Sequence, residues 1–283
     1  MIFYTPGAKY YSNEYHTNKR DVFPAVSITG KECALCCSHC ERKLLDTMID
    51  CSTPGLLLLA ARHILEKGGE GMLISGGSDK NGAVPLEPFI PAIQEIKSLG
   101  LKVICHTGLA DDDVFGRLKE AGVDGVLLDM IGSAETVRRV YGIDKTLQDY
   151  ERCLSTSIRI GLNAVPHIVL GLDGGKFVGE YLALGIVTAL KPKTLVIVVL
   201  AGHALPDIEE CIRFMSDARN ANPEMKITLG CARPAGEYSV RLEKTAVDVG
   251  FSAIAYPTVD TIRYIKEYEL DVQFRDVCCG FLY

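Results

Sequence analysis

Four of the eleven cysteines lie within residues 33–40, directly after a short predicted strand. Cys33, Cys37 and Cys40 have the spacing CxxxCxxC. Three thiolates at this spacing can bind three irons of one cubane from a single loop, which leaves the fourth iron without a protein ligand. Cys36 is adjacent to Cys37, so the two are poorly placed to bind one cluster together. The loop therefore predicts a [4Fe-4S] cluster with an open coordination site and three protein ligands.

Zinc is the alternative occupant of this loop, because the same cysteines form two CxxC pairs, Cys33/Cys36 and Cys37/Cys40. Structural zinc sites usually separate such pairs by about a dozen residues or more. Here no residue separates them, which favours the iron–sulfur cluster. A disulfide or simple packing is favoured still less for cysteines this close together.

The elements that would position the loop are short apolar or β-branched segments alternating with helical patterns. Strands are predicted at 25–29, 71–75, 102–106, 125–129, 162–167, 194–199, 226–231 and 252–255. Alternation of this kind is typical of parallel strands with crossover helices. Eight such strands favour a (β/α)8 TIM-type barrel, an α/β fold, over an open doubly wound sheet. In either fold the active site collects at the C-terminal edge of the strands.

The chain length of 283 residues suits one barrel-sized domain. We expect an irregular N-terminal arm over residues 1–24, the barrel over 25–267, and a C-terminal tail over 268–283 that could close the barrel mouth. The arm is polar and aromatic without clear periodicity, so no chemistry is assigned to it.

Composition argues against several classes of partner. The net charge of −6 arises without a basic stripe, which argues against a nucleic-acid partner. No signal peptide opens the sequence and no apolar run approaches about 18 residues, so we expect no membrane partner and a soluble, cytoplasmic protein. In a reducing compartment, eleven cysteines favour metal or cluster ligation over disulfides.

Further polar or small residues fall at predicted strand ends, where a barrel would direct them to one mouth. They are Gly76 and Gly77, His106, Asp129 and His167. Each residue alone is more often a structural turn or a satisfied polar group. Their common position relative to the cysteine loop makes them candidates.

The CxxxCxxC motif after the first barrel strand, with a glycine pair ending the second, resembles the radical S-adenosylmethionine (SAM) superfamily. In that family the open iron chelates the amino and carboxylate groups of SAM, and an electron from the cluster cleaves SAM to a 5′-deoxyadenosyl radical. The resemblance implies that Gly76 and Gly77 contact the SAM amino group through their backbone. Ser78 follows the pair where many members have Glu.

The resemblance also suggests roles for the other polar candidates. Asp129 or Glu135 could bind the ribose hydroxyls of SAM. His106 or His167 could donate to the SAM carboxylate or orient the substrate.

Residues 128–136, 165–168 and 230–234 resemble the biotin synthase and lipoyl synthase branch, including biotin-synthase-related proteins that serve as one component of a two-protein lipoyl synthase. The resemblance implies a radical SAM sulfurtransferase that inserts sulfur into an octanoyl chain on a lipoyl domain or peptide. Its partners would be a second lipoyl synthase component and a reductant such as ferredoxin or flavodoxin. The enzymatic alternative is methylation or carbon-skeleton rearrangement of a small molecule; a non-enzymatic one is a cluster-bearing electron carrier.

Sulfur-inserting members of this branch carry an auxiliary iron–sulfur cluster. Cys231, Cys278 and Cys279 are the best candidates to hold one, joined by Cys105 or Cys51, and Arg233 is a candidate by analogy with an arginine ligand in biotin synthase. The N-terminal three-cysteine motif of single-chain lipoyl synthase is absent from this sequence. Cys51, Cys153 and Cys211 are expected to pack as small apolar residues in or beside helices.

Overall fold

The computed structural model describes residues 1–35, 37–202 and 204–281, and these residues form one all-parallel sheet of eleven strands. The strands are β1 (Ile2–Tyr4), β2 (Ala25–Ser27), β3 (Ile49–Asp50), β4 (Gly71–Ser75), β5 (Lys102–His106), β6 (Gly125–Asp129), β7 (Ala164–Leu170), β8 (Thr194–Val199), β9 (Lys226–Leu229), β10 (Ala253–Ala255) and β11 (Gln273–Arg275). Their order in the sheet is β11-β1-β10-β9-β8-β7-β6-β5-β4-β2-β3.

Helices follow most of the strands and cross back to the start of the next. They are α1 (Pro54–Glu66), α2 (Ile90–Ser98), α3 (Asp112–Glu120), α4 (Ala134–Thr136), α5 (Leu147–Arg159), α6 (Glu180–Leu190), α7 (Ile208–Ala221), α8 (Glu237–Asp248) and α9 (Val259–Glu267). Local sequence sets their starts: the Thr53 hydroxyl accepts from the Leu56 amide, and Pro54 occupies the first turn of α1.

The eight predicted strands are all present and parallel, which confirms the α/β barrel-type fold. Among the described residues, no ladder joins the two end strands β3 and β11. The sheet therefore curls around an interior as a barrel does, but its hydrogen-bonded ladder keeps two ends.

Two apolar layers cover the two faces of this sheet. In β8, Leu195 and Ile197 pack in the layer beneath the helices, whereas Val196 and Val198 face the barrel interior. Successive side chains of a strand point to opposite faces. A strand that is buried on both faces is continuously apolar, which explains why the β8 sequence shows no polar alternation.

The N-terminal segment is not irregular throughout, as the sequence had suggested, because β1 lies between β10 and β11. The loop after β1 is held by Asn18, whose amide donates to the carbonyls of Thr5, Pro6 and Lys9. A strand of only three residues carries too little pattern to be recognised among polar and aromatic neighbours.

The C-terminal tail contains β11 and then turns into the barrel. Cys278, Cys279 and Phe281 are buried in the interior layer, and the Tyr4 hydroxyl donates to the Phe281 carbonyl at 2.9 Å. Closure of the barrel mouth by this tail stays a prediction. Across the part of the chain that the structure describes, no helix combines the length and apolar character needed to cross a membrane.

Candidate active site

A cavity of about 350 Å³ opens at the C-terminal edge of the strands, beside the cysteine loop. The predicted site residues that line it are Cys33, Cys37, Cys40, Gly76, Gly77, His106, Asp129 and Cys231. They come from the loops and ends of β2, β4, β5, β6 and β9. The structure thus brings residues far apart in the sequence to one cavity, as parallel strands allow.

The cysteine loop is fixed by the neighbouring loop that follows β4. The Thr29 hydroxyl donates to the Glu32 carbonyl at 2.8 Å and accepts from the Gly77 amide at 2.7 Å. The Ala34 amide donates to the Ser78 carbonyl at 2.8 Å. These bonds satisfy the backbone of both turns and hold the loop against the glycine pair.

Gly77 is required here by close backbone approach. A Cβ at this position would lie 2.0 Å from the Glu32 carbonyl oxygen and 2.6 Å from the Cys33 Cα. At Gly76 the nearest atom would be the Thr29 hydroxyl oxygen at 3.1 Å. The glycine pair therefore has a structural role in seating the cysteine loop, and its contact with SAM stays a prediction.

Replacing Gly77 with alanine is expected to lower the free energy of unfolding by about 1–3 kcal/mol, because the added methyl group forces two backbones apart. The matched control is Gly116→Ala in α3, where nothing lies within 4 Å of the added Cβ. That change should stabilise the helix by up to about 1 kcal/mol. Urea unfolding of the metal-free proteins measures both; equal effects of the two changes would contradict the close-approach argument.

The three predicted ligands lie at one wall of the cavity, with Cys37 buried and Cys33 and Cys40 half-buried. A hydrogen bond from the Cys37 thiol lowers the pKa of Cys40 to about 6, and the same bond, with burial, raises the pKa of Cys37. Cys36, predicted not to be a ligand, lies outside the described residues.

The three thiols share one cavity wall, as the ligands of one cubane must. Over residues 1–35, 37–202 and 204–281, no three His, Cys, Asp or Glu side chains converge as they would around a single metal ion. The thiolates of a [4Fe-4S] cluster each bind a different iron, so they need not converge on one point. A loop with one buried and two half-buried thiols on a common cavity wall meets that requirement.

His106 and His167 are neighbours at the ends of β5 and β7, with ring centroids 5.7 Å apart. His106 faces the cavity, and the buried His167 lies beside it with its Nδ1 3.1 Å from the Val165 carbonyl oxygen. Burial lowers the pKa of His106, although the neighbouring carboxyl of Asp129 acts in the opposite direction. Burial, together with repulsion from His106, lowers the pKa of His167 to about 4. Both rings are therefore neutral at pH 7.

This neutral histidine predicts a dependence of stability on pH. Because the folded pKa of His167, about 4, lies below the ordinary value of 6.5, the unfolded chain binds the proton first on acidification. The stabilisation is complete above about pH 6.5 and is lost as the pH falls toward 4, by about 3 kcal/mol in total. His167→Asn should flatten this slope in urea unfolding, and the exposed control His63→Asn should leave it unchanged. An unchanged slope in His167→Asn would contradict the assignment.

Five predicted residues lie outside the cavity lining: Glu135, His167, Arg233, Cys278 and Cys279. Glu135 is exposed on α4. The Arg233 side chain, only 5% exposed, forms an ion pair with the fully buried Glu243 at 2.6 Å. Its other donors bond to the carbonyls of Gly230 and Tyr256, both at 2.8 Å. This fully engaged guanidinium holds the β9 and β10 loops together, which gives Arg233 a positioning role; the iron ligation suggested by analogy stays a prediction.

The cysteines outside the loop separate into two groups. Cys279 lies beside both Cys231 and Cys278, and Cys231 lies on the cavity wall. Cys105 and Cys51 lie instead in the layer between sheet and helices, as do Cys153 and Cys211. The expectation that Cys105 or Cys51 joins the C-terminal pair is therefore wrong, because the sheet stands between them. The expectation that Cys51, Cys153 and Cys211 are packed apolar residues is confirmed.

Sequence reasoning missed the apolar and aromatic wall of the cavity. It includes Tyr141, Tyr150, Leu109, Ile131 and Ile143. Tyr141 ends the π-helical turn Val137–Tyr141, and its ring lies 5.4 Å from that of His39 in the cysteine loop. A π-helical turn is common at functional sites, but the sequence carries no sign of it beyond the left-handed Gly142 that ends the turn.

The sequence is similar to biotin synthase of Thiobacillus denitrificans, with 26% identity over 152 residues that cover 52% of this chain and 46% of that protein. The chain thus spans about half the length of the curated relative that it matches. No protein-family model matches the chain.

Solved structures resemble the fold. One is HydG, a maturase of the [FeFe]-hydrogenase, with a TM-score of 0.62 at 13% identity, covering 90% of this chain and 56% of that one. Another is methylornithine synthase, with a TM-score of 0.59 at 14% identity, covering 83% of this chain and 71% of that one. Identities this low show the fold alone. The chain is therefore similar in sequence to biotin synthase over about half of its length, and it shares its fold with these two solved structures.

Proposed function

We propose that this protein is a radical SAM enzyme whose Cys33, Cys37 and Cys40 hold a [4Fe-4S] cluster that leaves one iron open to SAM. When bound, the cluster and SAM supply a 5′-deoxyadenosyl radical that abstracts hydrogen from an unactivated C–H bond. The observation that carries the proposal is the common cavity of these three thiols with His106 and Asp129.

The chain's own residues bind, orient and exclude water. Asp129 offers carboxylate oxygens to ribose hydroxyls, and the neutral ring of His106 can donate one hydrogen bond to a carboxylate or to the substrate. The fixed loop after β4 holds the backbone of Gly76 and Gly77 beside Cys33. Tyr141, Tyr150 and the apolar wall reduce the water that could quench a radical.

For the substrate, we propose an octanoyl chain carried on a lipoyl domain or peptide. The wall formed by Leu73, Leu109, Ile131 and Ile143 suits an aliphatic chain, whose burial is favourable by about 0.8 kcal/mol per CH₂ group. The reaction is sulfur insertion, and the proposed partners are a second lipoyl synthase component and a reductant such as ferredoxin or flavodoxin.

As ligands of an auxiliary, sulfur-supplying cluster, we propose Cys231, Cys278 and Cys279. Their thiols interact with one another, and Cys231 shares the cavity with the cysteine loop. An aliphatic chain in the cavity would therefore be within reach of both the cysteine loop and Cys231. This arrangement favours sulfur insertion over methylation or rearrangement without such a cluster.

Anaerobic reconstitution with iron and sulfide, followed by iron counting and a 5′-deoxyadenosine assay, tests the proposal. Two cubanes correspond to about eight irons per chain and one cubane to about four. About eight irons with SAM cleavage supports sulfur insertion, and about four with cleavage supports the alternative chemistry. A reduced, loaded protein that forms no 5′-deoxyadenosine would overturn the enzyme and leave an electron carrier.

The auxiliary site has its own test. Cys278→Ser and Cys279→Ser should leave 5′-deoxyadenosine formation intact and stop sulfur transfer to an octanoylated lipoyl peptide. The control is Cys211→Ser, because the Cys211 thiol is buried between the sheet and the helices and does not line the cavity. Sulfur transfer retained in both C-terminal variants would remove these cysteines from the site.

A further inference from the structure

The C-terminal segment Val277–Phe281 is held in a fixed position inside the barrel. A Cβ on Gly280 would lie 2.6 Å from Cδ2 of Leu127, so the segment packs tightly against β6. Just before it, Asp276 accepts from the Thr5 hydroxyl at 2.7 Å and from the Lys19 amide at 2.9 Å. The segment is anchored at both ends and carries two thiols with it.

One of these thiols meets the β9 loop. The Cys279 thiol lies beside that of Cys231, a residue that lines the cavity. The loop that carries Cys231 is fixed two residues later by Arg233, through the carbonyls of Gly230 and Tyr256. Two thiols distant in the sequence are thus held together by ordered backbone on both sides.

Geometry favours this pair over the adjacent pair Cys278–Cys279 and over the four thiols between the sheet and the helices. Adjacent Cys278 and Cys279 have Cα atoms about 3.8 Å apart across a trans peptide, below the usual range of about 4.4–6.8 Å for a disulfide. Cys51, Cys105, Cys153 and Cys211 lie across the sheet in the outer layer. Cys231 and Cys279 have neither obstacle.

We propose that Cys231 and Cys279 are a modification site: in the cluster-free protein they form a disulfide bond with each other. The oxidant is a small-molecule disulfide. The Cys231 thiol, whose residue lines the cavity, loses its proton, and its sulfur attacks one sulfur of the reagent, giving a mixed disulfide and releasing one thiol. The Cys279 thiolate then attacks the Cys231 sulfur and releases the second thiol. The two cysteines lose two electrons and two protons, and both appear in the two released thiols.

The crosslink would join the C-terminal segment covalently to the β9 loop. It also consumes two sulfurs that an auxiliary cluster needs, so the crosslink and that cluster exclude each other. This exclusion rests on the proposed function, whereas the crosslink itself does not.

The test treats the cluster-free, full-length protein with oxidised glutathione and maps the disulfides by mass spectrometry without reduction. Trypsin gives peptides 227–241 and 276–283, since Arg233 precedes proline. We expect most of peptide 227–241 to be joined to peptide 276–283, with fragmentation locating the bond at Cys279. The crosslink should persist in Cys278→Ser and Cys211→Ser and disappear in Cys279→Ser.

The inference would be overturned if the oxidised protein showed only free thiols or only glutathione adducts. It would also be overturned if Cys279→Ser gave an equal yield of crosslink. A parallel sample, loaded with iron and sulfide before oxidation, separates this inference from the proposed function. Loss of the crosslink on loading supports both. A crosslink that forms equally in the loaded protein supports the disulfide and overturns the auxiliary ligands.

Discussion

Cys37→Ala should reduce 5′-deoxyadenosine formation from SAM by more than about 100-fold. Loss of outer-shell partners alone typically costs 10- to 100-fold in metal affinity or activity, and the loss of a ligand costs more. Cys37 is the most buried of the three loop thiols, so no other side chain or bulk water can readily replace it. Iron content after anaerobic reconstitution and product formation would be measured together.

The matched control for this prediction is Cys36→Ala, a change of the adjacent cysteine in the same loop. That variant should retain iron and SAM cleavage close to the wild-type levels. If Cys36→Ala abolished cleavage while Cys37→Ala preserved it, the ligand set would be wrong. Equal loss in both variants would point instead to four-thiolate binding.

Arg233→Met should lower the free energy of unfolding by about 3–5 kcal/mol, because it leaves the carboxylate of Glu243 buried without its cation. Glu243 is fully buried and also accepts from the amide and hydroxyl of Thr258. Adding Glu243→Gln to Arg233→Met removes the stranded charge and keeps an oxygen acceptor. The double variant should therefore recover more than half of the loss in urea unfolding.

This pair of variants also separates a positioning role from iron ligation. If Arg233 positions the β9 and β10 loops, stability falls in the single variant and returns in the double variant. If Arg233→Met kept its stability while the reconstituted protein lost iron, Arg233 would be a ligand. The metal-free protein is used for unfolding, so the two measurements are independent.

The barrel could be predicted because its strands are apolar on both faces and alternate with helices. The cysteine loop could be predicted because its ligands are close in sequence. The features that could not be predicted depend on which face of the sheet a side chain occupies and on contacts between residues distant in sequence. In β5, Ile104 faces the barrel interior and Cys105 faces the helices, yet both are apolar and would fit either side. The partner of Arg233 lies on α8, and no local pattern connects the two.

The short strands at or next to the ends of the sheet show the same limit. β1, β3 and β11 have three, two and three residues, too few for a period of two to be recognised. They form because neighbouring strands offer hydrogen-bonding edges, which is a property of the assembled fold.

The position of β1 has a consequence for the order of folding. Ile2 pairs with Ala253 and with Gln273, so β1 has partners that are made only after the other described strands. Such non-local pairing requires the closure of a very long loop and slows folding. The strands between them can assemble while synthesis continues, and β1 must remain unpaired until β10 and β11 are made. We therefore expect truncation after β9 to leave β1 exposed as an aggregation-prone edge, detectable as insolubility that a full-length chain does not show.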